Sequence, residues 1–129
     1  MQTVFEFLKR VADAIRRRLP VGDVAWPAKD IARRYLRRQG CLVLERNYHE
    51  RSGAGEIDLV ACQGGVLVFV EVKTADTGAV DAQKRNALER AAREYARRSG
   101  VEWIKTRFDV VSVATKHPVR VDWQRGVFR

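Results

Sequence analysis

The stretch GEIDLVACQGGVLVFVEVK, residues 55–73, decides the fold. It contains two largely apolar runs, residues 56–62 and 66–73, on either side of Gly64 and Gly65. Two adjacent glycines favour a two-residue hairpin turn, because both tolerate positive φ. The stretch therefore predicts two antiparallel strands, and it places ionisable side chains among residues that are typical of a buried sheet.

The ionisable side chains of this hairpin follow a pattern. A two-residue turn at the glycines sets Asp58 opposite Glu71 and Glu56 opposite Lys73, and strand alternation puts all four on one face. The other face then carries apolar side chains: Ile57, Leu59, Val70 and Val72. Directly opposed carboxylates destabilise a sheet unless one is protonated, a lysine neutralises them or a divalent cation binds. A solvated sheet face with a Glu56–Lys73 pair is the alternative.

Helical patterns flank the hairpin. The predicted helix before the hairpin runs between Pro27 and Gly40. Its inward side chains are Ile31, Ala32, Tyr35 and Leu36, and its outward ones are Arg33, Arg34, Arg37 and Arg38. The next runs over residues 81–99, and its inward stripe begins with Lys84, which we expect to point towards Glu71 and Lys73. A side chain that only snorkels at the start of the helix is the alternative for Lys84.

Three further strands are predicted, at residues 41–48, 107–114 and 119–123. We expect the strands at 66–73 and 108–114 to be parallel, with a right-handed crossover through the helix between them. The fold class is therefore α/β, with a mixed sheet flanked by helices. Residues 27–129 form one predicted domain, and residues 1–26 form an amphipathic helix at 3–19 followed by a linker.

Charge gives the first indication of a partner. The chain has 25 Lys and Arg against 16 Asp and Glu, a formal net charge of +9, which favours a polyanionic partner, nucleic acid above all. A merely basic protein is the alternative. Cys41 and Cys62 lack metal-ligand spacing and fit a reduced, cytoplasmic protein. No apolar run reaches the length of a membrane span, although the 3–19 helix is a candidate for membrane-surface or protein contacts.

A family resemblance rests on the segments RNY, GEIDLVA, GGVLVFVEVK, DAQKRNALERAAREYARR and RFDVVSV. In this order they resemble the bacterial YraN-like family of uncharacterised proteins. That family has the PD-(D/E)XK endonuclease-like fold, with a restriction-endonuclease-like α-β-β-β-α-β core, and is distantly similar to archaeal Holliday junction resolvases. The resemblance covers about residues 28–128.

The resemblance implies roles for individual residues. Asp58 and Glu71 would hold Mg²⁺ or Mn²⁺ with a backbone carbonyl near Val72, and Lys73 would orient or deprotonate the attacking water. Glu56 and Lys84 match further positions of the family pattern. The family usually carries a glutamate in its first helix where this chain has Lys29. Asp30 lies one residue along, about 100° around the helix, on the basic face.

Two functions compete at this point. The leading interpretation is a Mg²⁺-dependent endonuclease that hydrolyses phosphodiester bonds in DNA, with branched or junction DNA as a candidate substrate. The alternative is a non-catalytic nucleic-acid-binding module on the same fold. The likeness to junction resolvases also suggests a homodimer.

Overall fold

The computed structural model describes residues 27–53, 55–74, 82–115 and 118–128. The predicted helix at 3–19 and its linker lie outside the described residues, so the division of the chain at residue 27 stays a prediction. The predicted helix start at residue 81 and part of the turn at 115–118 lie outside them too.

Two helices and five strands follow one another in the predicted order. They are α1 (Ala28–Arg38), β1 (Leu42–His49), β2 (Glu56–Gln63), β3 (Val66–Thr74), α2 (Ala82–Ser99), β4 (Thr106–Ala114) and β5 (Arg120–Gln124). A 3-10 turn, Trp103–Lys105, precedes β4. The predicted α-β-β-β-α-β core with one additional strand is thus confirmed.

The strands form a single mixed sheet in the order β1-β2-β3-β4-β5. Gly64 and Gly65 have φ values of 55° and 80°, which is the left-handed region expected for the β2–β3 turn. β3 and β4 are parallel, as predicted, and the other neighbouring strands are antiparallel. The helix α2 therefore belongs to the connection between the two parallel strands.

Both faces of the sheet are buried. The side chains packed with α2 are Leu44, Ile57, Val60, Leu67, Phe69, Leu88, Ala91, Ala92, Tyr95, Ala96 and Phe108. Those packed with α1 are Ala32, Leu36, Cys41, Val43, Leu59, Ala61, Val68, Val70, Val72, Val111 and Val113. The prediction of one charged and one apolar face of the hairpin was wrong, because a helix covers each face.

The alternation of β2 breaks at Asp58. Ile57 packs on the α2 side and Leu59 on the α1 side, although a regular strand would put both on one face. The β2–β3 register runs from Gln63↔Val66 only as far as Leu59↔Val70. The directly opposed pairs Asp58–Glu71 and Glu56–Lys73 therefore do not form.

Side chains of α1 differ from the prediction in one respect. Ala32 and Leu36 are buried as expected, and Ile31 and Tyr35 are partly buried. Arg33, predicted to face outwards, is only 8% exposed. Since Arg33 lies three residues before Leu36, it flanks the buried stripe, and a long aliphatic stem can be covered there.

A close contact fixes α2 against the start of β2. Gly55 is buried, and a Cβ atom added there would overlap the backbone oxygen of Ala87 and lie 3.3 Å from the Cβ of Ala91. Only glycine allows the helix backbone to approach this closely. The contact sets the position of the first turns of α2, from which Lys84 projects.

A fully buried carboxylate, Asp109, organises the sheet around β4 and β5. Its oxygens accept hydrogen bonds from Arg107 Nε at 3.0 Å and from Trp123 Nε1 at 2.8 Å. The backbone N–H of Gly126 donates a further bond at 3.0 Å, and Arg107 Nη2 also donates to Gln63. We call these residues the Asp109 network.

Candidate functional site

The side chain of Asp58 replaces a backbone hydrogen bond between β2 and β3. Its Oδ2 accepts the backbone N–H of Val72 at 2.8 Å, where the β2–β3 ladder has ended. Asp58 is 9% exposed. The carboxylate thus joins the two strands just beyond the last paired residues, which explains the break in alternation.

Glu71 lies beside Asp58 and is 7% exposed. Burial raises the pKa of Glu71, the hydrogen bond from Lys84 opposes this, and the charge of Asp58 raises the pKa further. Lys84 Nζ is 2.6 Å from Glu71 Oε1, so the expectation that Lys84 points towards Glu71 is confirmed. An ionised Glu71 therefore depends on a cation nearby.

Lys29 brings a second ammonium group to the carboxylates from α1. Its Nζ is 3.1 Å from Asp58 Oδ1 and 3.9 Å from Glu56 Oε1. The neighbouring Asp30 instead pairs with Arg46 at 3.2 Å, so it contributes no oxygen to this site. We call Lys29, Asp58, Glu71 and Lys84 the carboxylate–lysine cluster.

Asn47 completes the surroundings of Lys29. Its Oδ1 accepts a hydrogen bond from Lys29 Nζ at 2.7 Å. Its φ of 51° is the one positive value among the described residues other than glycine, and asparagine tolerates this conformation better than most. The sequence pattern predicts no role for Asn47, because alternation alone does not indicate a left-handed residue within a strand.

The remaining predicted residues lie outside this cluster. Glu56 is exposed and lies 3.8 Å from His49 Nε2. Lys73 lines a cavity of about 480 Å³ at the ends of β3 and β4. Within the described part of the chain, Lys73 has no ion pair with Asp58 or Glu71, and Lys29 is the lysine that reaches Asp58. The backbone N–H of Val72 is what contacts Asp58.

The donor atoms are of the type that Mg²⁺ prefers. Asp58 and Glu71 are two adjacent carboxylates, and Mg²⁺ is commonly held by one or two carboxylates together with water and substrate phosphate. The described residues contain no group of three or more His, Cys, Asp or Glu side chains arranged to hold a metal. A cation at this position therefore has two carboxylates available, and it shares Asp58 Oδ1 with Lys29.

Fold and cluster together define an α/β protein with paired carboxylates and lysines at the end of a β-hairpin. A family model for the uncharacterised protein family UPF0102 matches residues 28–113. The chain belongs to this family, which confirms the resemblance to the YraN-like proteins.

Relatives in several bacteria are similar over most of the chain. The UPF0102 protein of Solibacter usitatus is 48% identical over 128 residues, covering 94% of this chain and 97% of the relative. That of Halorhodospira halophila is 43% identical over 110 residues, covering 79% and 84%. That of Rhodococcus jostii is 41% identical over 96 residues, covering 69% and 80%.

Among the residues that the structure describes, neither helix is both long enough and apolar enough to cross a membrane.

Proposed function

We propose that the protein binds DNA and hydrolyses its phosphodiester bonds with the help of Mg²⁺ or Mn²⁺, with branched DNA as a candidate substrate. The observation that carries this proposal is the burial of Asp58 beside Glu71, each paired with a lysine. Adjacent buried carboxylates are costly unless cationic groups neutralise them, and such clusters occur frequently at functional sites. The net charge of +9 supports a polyanionic substrate.

Asp58, Glu71 and Lys84 each have a chemical task in this proposal. Asp58, Glu71 and the carbonyl of Val72 would hold the cation, which when bound polarises the phosphate and lowers the pKa of water. Lys84 favours the ionised form of Glu71 and partly opposes the effect of burial, because its hydrogen bond lowers the pKa of that carboxyl. Its ammonium also lies where it can stabilise negative charge that develops on a phosphate.

The position of Lys73 supports a proposal of where the DNA strand would lie. The polar neighbours of Lys73 in the cavity at the ends of β3 and β4 include Ser112 and Arg120, together with one acidic residue, Asp122. Ammonium, guanidinium and hydroxyl groups are the common donors to phosphate oxygens. Since Lys73 lies two residues beyond Glu71, a backbone phosphate in this cavity would keep the neighbouring phosphodiester close to the cluster.

Cleavage assays test this proposal directly. Purified protein is incubated with Mg²⁺ or Mn²⁺ and end-labelled single-stranded, duplex, flap and four-way-junction DNA. We expect products with the wild type, and none with Asp58→Asn or Glu71→Gln, because each variant removes one of the two anionic ligands. Glu89→Gln, at an exposed carboxylate paired with Arg93, is the matched control and should cleave like the wild type.

Two results would contradict the nuclease proposal. One is the absence of cleavage of every substrate with either metal. The other is cleavage that survives in Asp58→Asn and Glu71→Gln, since activity would then come from another site or from a contaminating nuclease.

A second candidate function is DNA binding without cleavage. The observation that favours it is Lys29, whose ammonium already neutralises Asp58. In this case the carboxylate–lysine cluster is a structural element of a basic binding surface that includes the arginines of α1 other than the buried Arg33.

Salt dependence and one substitution separate the two candidates. Binding driven by phosphate contacts weakens with salt, with a log–log slope of about −0.9 per contact on duplex DNA. If the protein only binds, Asp58→Ala should retain or improve affinity for DNA, measured by fluorescence anisotropy, because it removes negative charge. Loss of binding by a folded Asp58→Ala protein would rule out this second candidate.

A further inference from the structure

Lys29 is surrounded by oxygen atoms from two strands. Its ammonium donates to Asn47 Oδ1 at 2.7 Å and lies 3.1 Å from Asp58 Oδ1, with Glu56 Oε1 at 3.9 Å. An ammonium group has three N–H donors and no acceptor. Asn47 and Asp58 lie within hydrogen-bond distance of it, and Glu56 adds negative charge at longer range. These oxygens would also suit a small metal ion, and the ammonium group of Lys29 occupies that position.

The position of Lys29 determines which oxygen of Asp58 is open to a metal. Oδ2 already accepts the N–H of Val72, and Oδ1 is the atom that faces Lys29. A cation bound through Oδ1 would therefore stand within a few ångströms of a positive charge. Like charges at such distances repel strongly, especially where the site is partly shielded from water.

Charge balance makes the same point for the whole cluster. Asp58 and Glu71 contribute two negative charges, and Lys29 and Lys84 contribute two positive charges. These four groups are therefore neutral without any metal, and even when Glu56 is counted, 3.9 Å from Lys29, a divalent cation would leave an excess of positive charge. Binding becomes favourable when an ammonium group moves away from the carboxylates.

Lys29 is the lysine better placed to move. Both lysines are about half exposed, 44% for Lys29 and 49% for Lys84. Both project from the first turn of a helix, where the helix dipole disfavours positive charge, so it is their contacts that distinguish them. Lys84 makes a shorter contact, 2.6 Å, with the more deeply buried carboxylate. Lys29 can therefore turn its ammonium towards solvent, or towards a phosphate, without a change in the backbone.

We infer that Lys29 is an internal competitor for the metal: its ammonium occupies the cation position on Asp58, and a divalent cation binds only when that ammonium leaves. This inference rests on the proposed function, because it assumes that Asp58 and Glu71 are the metal ligands. It assigns to this chain's lysine a control of metal affinity that is separate from catalysis.

Calorimetric measurement of Mn²⁺ binding, with no DNA present, tests this role. We expect Lys29→Met to bind Mn²⁺ at least about tenfold more tightly than the wild type, equivalent to about 1.4 kcal/mol. Lys29→Glu should bind more tightly still, because it adds an anionic ligand in place of a cation. Lys105→Met, at an exposed lysine of the 3-10 turn, is the matched control and should bind like the wild type.

Circular dichroism establishes that each variant is folded, and the second substitution keeps the test valid if one variant is not. Equal Mn²⁺ affinities in the wild type, Lys29→Met and Lys29→Glu would overturn the inference, even if all three proteins cleave DNA. Tighter Mn²⁺ binding by the variants, with no cleavage by any of them, would retain the role of Lys29 and contradict the nuclease proposal.

Discussion

Asp109 and Asp58 are buried aspartates of the same sheet, but different kinds of partner hold them. Asp109 is bound by a guanidinium, an indole N–H and a backbone N–H, and its side chain has no solvent exposure. Asp58 has one backbone N–H and a lysine that is 44% exposed. A guanidinium fork is rigid and directional, whereas an ammonium on a flexible stem is readily exchanged.

Asp109 therefore has fixed partners and a structural role, whereas the cationic partner of Asp58 can be exchanged. In the Asp109 network the donors are a guanidinium that is only 25% exposed, an indole N–H and a backbone N–H, and all three are held in place by the sheet. In the carboxylate–lysine cluster, the cation on each carboxylate comes from a side chain that reaches solvent. Substitutions should therefore affect stability most in the first region and ligand binding most in the second.

The largest effect on stability is expected from Asp109→Asn. Removing one charge from a buried, hydrogen-bonded pair leaves Arg107 without its counter-ion and typically costs about 3 kcal/mol or more. Asp58→Asn should cost less than about 1 kcal/mol, because its amide oxygen can still accept the Val72 N–H and Lys29 is half exposed. Urea denaturation of both variants measures the difference, and equal losses would refute the distinction between the two aspartates.

A smaller loss of stability is expected from Gly55→Ala, which should affect the carboxylate–lysine cluster and not the Asp109 network. The added methyl group would overlap the backbone of Ala87, so α2 must shift, at a cost of about 1–3 kcal/mol. The shift moves Lys84 away from Glu71 and leaves the Asp109 network in place. Thermal denaturation gives the stability, and the Trp123 indole resonance, which should stay unchanged, is the internal control. A variant as stable as the wild type would show that α2 does not depend on this close approach.

The smallest effect on stability is expected from Glu71→Gln, and it depends on pH. The pKa of Glu71 is raised above its ordinary value of 4.5, so the folded state binds this proton more tightly than the unfolded state. Ionised Glu71 therefore costs stability at neutral pH, and the cost disappears as the pH falls through the raised pKa towards 4.5. We expect Glu71→Gln to be modestly more stable than the wild type at pH 7, with the advantage lost in acid.

Denaturation of both proteins between pH 7 and pH 4 measures this advantage. Glu89→Gln, at an exposed ion pair, serves as the control and should follow the wild type across the whole range. An advantage of Glu71→Gln that stays constant with pH would mean that ionisation of Glu71 carries no penalty.

The regular parts of the fold could be predicted from the sequence. The glycine pair gave the hairpin turn, and helical periodicity placed Lys84 on the inward stripe that reaches Glu71. Both features depend on local backbone geometry, which the residue pattern of a single segment is enough to predict. The parallel pairing of β3 with β4 followed because a helix lies between them.

The details of the site could not be predicted in the same way. The turn of Asp58 towards the Val72 N–H replaces a backbone contact with a side-chain contact, and no periodic pattern signals such an exchange. The approach of Lys29 to Asp58 depends on how α1 packs on the sheet, which is a tertiary contact. Lys29 departs from the family pattern, but its partners could be identified only from the fold.

The hydrogen bond between Asp58 and Val72 also has a practical consequence. The Val72 amide donates directly to the carboxylate whose charge and partners are in question. Its chemical shift in a ¹H–¹⁵N spectrum should therefore respond to whatever replaces Lys29 on Asp58, and a diamagnetic ion such as Mg²⁺ would leave the signal visible. A single backbone resonance can thus report occupancy of the site without a substrate or a catalytic assay.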